Sequence, residues 1–323
     1  MKEIKVQDAV GQILCHDITQ IVRGVVKDAR FRKGHIITDE DIPELLKLGK
    51  ENIFVWENDE TKLHENDAAE ILRSITQGEN LSSTEVKEGK IELEADCDGV
   101  FHVNVERINA INEIEEICIA TVNNKIPVRK GKSVAGMRVI PLVIDKEKMD
   151  RVKTIAGDEP LMRIAPYKKF KTGLVVTGSE IFHERIQDTF TPVIEAKLKT
   201  FGLEVNWRRL SDDSKEMTRK QISDLLEQGA EMILCTGGMS VDPDDRTPAA
   251  ISSIADRVVT YGVPVLPGAM FMLAYKGEIP IMGLPGCVMF CSKTVFDLIL
   301  PRVVTGERLT RKDFKTMGVG GLL

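Results

Sequence analysis

The sequence predicts an α/β protein: an α/β/α sandwich on a mostly parallel sheet, preceded by a smaller β-rich α+β region. Three observations carry this expectation. From residue 171 onward, apolar strand-like runs alternate with helical runs, the pattern of right-handed βαβ crossovers. Between 90 and 145 the hydrophobic period shortens to two. Several strand-like runs of the C-terminal half also stop at glycine, as strand-to-helix turns do.

In chain order, "VKDARFRKGHIITDEDIPELLKLGKENIFVWE" reads as a β-turn-β element, a short helix and a strand. Asp39 or Asp41 can cap that helix, Pro43 suits its first turn and Gly49 its end. A second helical pattern places Ala68, Ile71, Leu72 and Ile75 on one face, and "TQGENLSSTEVKEGK" then reads as a loop. The run "KIELEADCDGVFHVNVERI" alternates, and "EEICIATVNN", "IPVRKGKSV" and "MRVIPLVI" add short strands. A charged stretch with two prolines, 145–170, marks the main boundary near 160. The expected organisation is a small α+β module at 1–60, a β-rich domain at 61–160, the α/β domain at 161–308 and a tail at 309–323.

Within the α/β domain, "TGLVVTG" is a strand, and "TPVIEAKLKTFG" a helix opened by Thr191 and Pro192 and closed by Gly202. "LEVNWRRL", "EMILCTGG" and "IPIMGLPG" are strands, and "DRVVTYGV" is a strand or loop. "SDDSKEMTRKQISDLLEQGA" and "TPAAISSIA" are helices, the second with Thr247 as N-cap, and "CVMFCSKTVFDLILPRVVTG" is a long closing helix.

Composition narrows the function. At 42% hydrophobic and 29% charged residues the chain is an ordinary globular one. Its net charge of −6 argues against a nucleic-acid binder. No signal peptide opens it and no run is long and apolar enough for a membrane span. The six cysteines form no CxxC pair, so they read as buried thiols of a cytoplasmic protein.

Ligands of such folds sit at the carboxyl ends of the strands, and three strand ends here share one chemistry. They are Thr177-Gly178-Ser179-Glu180, Thr236-Gly237-Gly238-Met239-Ser240 and Gly283-Leu284-Pro285-Gly286. Each offers glycine backbone whose N–H groups can approach a phosphate, and two add hydroxyls. Any one of the glycines can equally be making a tight turn. The usual nucleotide motifs are missing: "RKGKS" at 129–133 ends like a P-loop, but Ile126 stands where the leading glycine belongs.

Carboxylates crowd the same rim. Asp242, Asp244 and Asp245 could hold a hard divalent cation such as Mg²⁺, together with substrate phosphate and water. Asp212 and Asp213 end the preceding strand as catalytic candidates, although Asp213 with Glu216 also fits a capping box. Asp242 and Asp244 can instead shape the turn around Pro243.

"ILCTGGMSVDPDDRTPAA", with "VVTGSE" before it and "GLPG" after it, resembles the molybdopterin-handling domain of molybdenum cofactor biosynthesis. Its adenylyltransferase branch shares Thr236-Gly237-Gly238, Asp245 and Thr247-Pro248-Ala249-Ala250. The molybdotransferase branch shares Gly237-Gly238-Met239-Ser240-Val241 and Asp245, and "DAVGQILCHDI", "FRKGHIITDEDIPELLKLGKENIFV" and "AGMRVIPLVIDKEK" resemble its preceding domains. The chain therefore sides with the molybdopterin molybdotransferases, lacking their C-terminal domain. Two departures stand out: Pro267-Gly268-Ala269-Met270 has no lysine where that branch has one, and Gly286-Cys287-Val288 replaces its Gly-Asn-Pro.

The resemblance implies a pterin ligand bound by Thr177, Gly178, Ser179, Glu180, Asp188, Thr236, Gly237, Gly238, Met239, Ser240, Pro285 and Gly286. It implies Mg²⁺ on Asp242, Asp244 and Asp245, with Asp245, Asp212 and Asp213 in catalysis. The implied reaction inserts molybdate into adenylated molybdopterin with Mg²⁺-dependent release of AMP. It also implies a homodimer serving a molybdoenzyme or another cofactor-biosynthesis protein. The alternatives are a non-catalytic carrier or sensor of the cofactor and an ATP-dependent molybdopterin adenylyltransferase.

Overall fold

The computed structural model describes residues 1–22, 26–55, 59–240, 242–243 and 245–323. The chain forms two compact units. The first holds Met1–Cys97, Phe101–Asn124 and Arg129–Ile164, and the second holds Asp98–Val100, Lys125–Val128 and Ala165–Leu323. No helix of the described residues is long and apolar enough to cross a membrane.

In the first unit, strand Lys2–Lys5 pairs antiparallel with Asn52–Val55 over a small core of Val6, Leu14, Ile18, Leu45 and Ile53. The β-turn-β element forms differently from expectation. Val26–Phe31 pairs with the strand before it, Ile18–Val22, and the expected second strand makes a single bridge, Ile13 to Ile36. Helix Asp41–Lys47 starts where Asp41 accepts hydrogen bonds from the Thr38 N–H and hydroxyl.

A four-stranded antiparallel sheet follows, in the order Leu81–Ser83, Lys90–Ala95, Ser133–Val139 and Ile117–Thr121. Helix Glu65–Thr76 packs on it through Ala68, Ala69 and Leu72. Two expectations are corrected here. Leu81–Ser83 lies in the stretch expected as loop, yet it is an edge strand of this sheet. Val105–Asn112 is a helix, because the Asn104 side chain caps it by accepting from Arg107 N at 3.1 Å and breaks the period of two.

The second unit is the expected sandwich. Its strands are β1 (Thr172–Thr177), β2 (Val205–Ser211), β3 (Met232–Thr236), β4 (Arg257–Tyr261), β5 (Met272–Lys276) and β6 (Ile279–Leu284). Its main helices are α1 (Phe190–Lys199), α2 (Lys215–Glu227), α3 (Thr247–Ile254), α4 (Val295–Val304) and α5 (Arg311–Lys315). The sheet order is β2-β1-β3-β6-β5-β4. The first four strands run parallel, while β5 and β4 fold back as an antiparallel edge.

Strand alternation sorts the core onto two faces. Leu174, Val176, Leu234 and Met282 pack with Ile194 and Leu198 of α1 and Phe296 and Ile299 of α4. Val175, Ile233, Cys235 and Ile281 pack with Ile222 and Leu225 of α2 and Ile251 of α3. β5 had no counterpart in the sequence reading. The closing helix begins at Val295 rather than near Cys287, because a Thr294–Asp297 capping box sets its start and one 3₁₀ turn precedes it. Residues 309–323 pack as part of this unit, with Phe314 buried against Phe271.

The thiols need a correction as well. Cys15 and Cys235 alone are buried, Cys97, Cys287 and Cys291 are half-buried, and Cys118 is exposed. Burial pushes the Cys235 thiol up to about 12.

Candidate functional site

Because β1, β2, β3 and β6 run parallel, their carboxyl ends share one edge of the sheet. The register sets Thr177 beside Ser211, Val176 beside Thr236, and Thr236 beside Leu284. The chain leaves β1 for β2 on one side and then returns to β3 on the other. The crevice at this switch of direction is where such sheets hold ligands.

Close packing shapes the Gly237-Gly238 loop. Gly237 has φ +83° and Gly238 φ +56°. A Cβ on Gly237 would lie 2.6 Å from Thr177 Oγ1 and closer still to the Thr177 carbonyl oxygen. The Thr177 hydroxyl donates to Thr236 O at 2.8 Å, tying the ends of β1 and β3 together. The loop's far side is fixed as Thr247 N donates to Gly238 O at 3.2 Å. Among the described residues, no hydrogen bond takes up the N–H groups of Gly238, Met239 or Ser240. Glycine backbone with open donors is the chemistry an oxyanion requires.

The crevice has two lobes of about 510 and 480 Å³ that share Gly237, Gly238, Asp242 and Asp245. Thr177, Gly178, Glu180 and Asp213 join these residues in the first lobe. Met239, Ser240, Pro285, Gly286 and Cys287 join them in the second. Among the described residues, four carboxylates, those of Glu180, Asp213, Asp242 and Asp245, therefore face the first lobe, and no Lys or Arg lines either one.

Other candidates lie elsewhere or are engaged within the protein. The Asp213 carboxylate accepts from Ser179 N at 2.9 Å, so it bridges the loops after β1 and β2. It is not the cap of α2; Ser214 is, accepting from Met217 N at 3.3 Å. Asp212 accepts from the Ser214 hydroxyl and N–H, which hold its carboxyl below the usual carboxylate range. The Thr236 hydroxyl is buried and without a partner among the described residues. The Met239 side chain is buried against Gly283, where a Cβ would sit 2.5 Å from its Cε. Thr247 is not the N-cap of α3 but its first helical residue. Asp244 lies outside the described residues.

Asp188 caps α1. Its carboxylate accepts from the N–H groups of Phe190 and Thr191, at 2.9 and 3.0 Å, and from the Thr191 hydroxyl. Arg208 pairs with it at 3.2 Å. Asp188→Ala is expected to cost about 1–2 kcal/mol through loss of the cap, read as a lower urea midpoint.

The sequence reading missed Ile181, Phe190, Pro243 and Cys287 as lining residues, and named Gly268, Ala269 and Met270 only as a departure from the resembling enzymes. Cys287 and Pro243 had a signal, since both stood out as departures or turn formers; the apolar pair had none. Among the described residues no three His, Cys, Asp or Glu side chains converge as a ready-made metal site.

Residues 173–305 match the family described as a probable molybdopterin binding domain. This segment is similar to molybdopterin-binding domains. Residues 3–57 match a domain of unknown function, DUF8806. A CinA-like protein of Mycolicibacterium gilvum is 31% identical over 87 residues, covering 27% of this chain and 21% of that protein. A molybdopterin molybdenumtransferase of Staphylococcus epidermidis is 26% identical over 144 residues, covering 42% of this chain and 34% of that enzyme. The chain thus spans a fifth to a third of the length of these relatives. The crystal structure of the molybdopterin biosynthesis enzyme MoaB of Thermus thermophilus aligns with 43% of this chain and 98% of its own, at 25% identity and a TM-score of 0.37. The matched segment includes every loop that lines the crevice described above.

Proposed function

We propose that the crevice binds adenylated molybdopterin and that the protein inserts molybdate with Mg²⁺-dependent release of AMP. One observation carries the reading: the open N–H groups of Gly238, Met239 and Ser240 stand beside four carboxylates, with no Lys or Arg in the lining among the described residues. An anionic ligand entering such a crevice needs a counter-cation. The donor chemistry fits Mg²⁺, which takes one or two carboxylates and completes its shell with ligand phosphate and water. Asp245 and Asp242 are the side chains to hold it. When bound, it would neutralise charge on the phosphates and orient them.

The remaining work falls to the chain itself. Gly237 and Gly238 approach the phosphates through backbone, and Asp213 steadies the β1 loop through Ser179 N. Asp245 already closes its own turn, since its carboxylate accepts from Asp242 N at 3.3 Å and its N–H donates to Asp242 O at 2.9 Å. Ala269 occupies the segment where the resembling enzymes carry a lysine, which favours a second reading: a carrier that binds the pterin without turning it over.

Asp245→Ala is expected to lower the rate of AMP release from adenylated molybdopterin, molybdate and Mg²⁺ by about 10- to 100-fold. Chelating Mg²⁺ should weaken binding of the adenylated pterin. If the wild-type chain binds that ligand but liberates no AMP, the carrier reading replaces the enzymatic one.

A further inference from the structure

The sheet of the second unit ends on a strand with one open side. β4 pairs with β5, and no strand among the described residues lies along its other edge. Such an edge presents N–H and C=O groups to which an extended chain can add.

A groove of about 270 Å³ runs there, lined by five consecutive residues, Val258 to Gly262. Side chains along a strand alternate between its faces. A groove that touches all five therefore follows the backbone edge rather than one face. Its opposite wall is α5, anchored by Phe314, which is 1% exposed. Arg311 and Lys315, one turn apart on that helix, stand exposed at the rim. Neither has an ion-pair partner among the described residues. The acid between them, Asp313, is held by Arg302 and Lys125 at 2.6 and 2.8 Å.

We propose that this groove binds an extended, acidic segment of a partner protein, added as a further strand between β4 and the cations of α5. The chain carries a net charge of −6, so these unpaired cations offer an acidic partner a local attraction that its overall charge does not. Like charge disfavours a second copy as the occupant, since pairing β4 with β4 would bring the cations of both α5 helices to one seam. Tyr261 at the end of β4 donates its hydroxyl to Met239 O at 3.1 Å. A segment seated on β4 would thus adjoin a loop of the ligand crevice, although the proposal does not depend on what the crevice binds.

The test is selection of a displayed library of random nine-residue peptides on the full chain, followed by fluorescence anisotropy of the selected peptides. Enrichment of Asp and Glu at alternate positions is expected, with binding that weakens as salt is raised. R311E/K315E should weaken it at least tenfold, and R311Q/K315Q serves if the reversal perturbs folding. Amide exchange at 257–261 should slow when peptide is added. The proposal is overturned if no acidic peptides are enriched, or if their binding ignores both double variants. It is also overturned if 257–261 is already protected in a concentration-dependent dimer.

Discussion

Arg302→Ala is expected to lower stability by about 3–5 kcal/mol, the cost of breaking a buried ion pair from one side. The Arg302 side chain is only 6% exposed on α4. Its guanidinium reaches Glu307 through Nε at 2.8 Å and Nη2 at 2.6 Å, and Asp313 through Nη2 at 2.6 Å. Lys125 adds a bond to Asp313 at 2.8 Å. Asp313 also accepts from the Thr310 N–H and hydroxyl, so the cluster holds α5 and the segment before it against α4. Truncating Arg302 leaves two carboxylates close together with one lysine between them. Arg302→Lys should recover only part of the loss, because an ammonium cannot reproduce the two-pronged contact. Urea unfolding measures it; a change below about 1 kcal/mol would show the cluster to be dispensable.

The same cluster sets a pH dependence. Burial alone would raise the Asp313 carboxyl, but bonds from Lys125, Arg302 and Thr310 hold it well below the usual carboxylate range. A carboxyl depressed by folding stabilises the protein fully above its unfolded pKa of about 4 and loses that contribution as pH falls toward its folded value. Wild-type stability should therefore fall below about pH 4 more steeply than that of Asp313→Asn.

Gly237→Ala is expected to cost about 3 kcal/mol and, on the function proposed above, to abolish measurable pterin binding. A left-handed backbone costs an L-residue about 1–2 kcal/mol, and overpacking adds about 1–3 kcal/mol. Here the methyl would press on the Thr177 carbonyl and hydroxyl, which join β1 to β3. Relief requires the loop to leave the crevice floor. Gly229→Ala separates strain from clash, since Gly229 has φ +88° with nothing near its Cβ position. It should cost only the conformational part and leave binding intact. Gly238→Ala should fall between the two, its Cβ meeting the Thr247 hydroxyl at 2.8 Å. Thermal unfolding and equilibrium binding of molybdopterin read both quantities.

Much of the second unit was legible because its signals are local. Apolar runs ending in glycine mark β1 and β3, and Pro248 at the start of α3 needs only its own neighbours to be read. β5 was not legible: its apolar residues show no period of their own, and its place depends on pairing with β4 and β6. Val105–Asn112 was misread because Asn104 caps a helix inside a run that otherwise alternates.

Sequence alone determined the α/β/α class, the three glycine-bearing loops and the carboxylates between them. All of these depend on residue type and short spacing. Tertiary structure decided which of those groups face the crevice. The Thr177 hydroxyl turns to Thr236, 59 residues on, and Asp213 turns to Ser179, 34 residues back. Asp188 turns inward to cap α1, while Asp242 and Asp245 remain on the crevice wall. Whether a polar group is free for a ligand depends on which partner the fold brings within 3 Å; for Thr177 and Asp213 that partner lies too far along the chain to leave a local pattern, whereas the Asp188 cap is local.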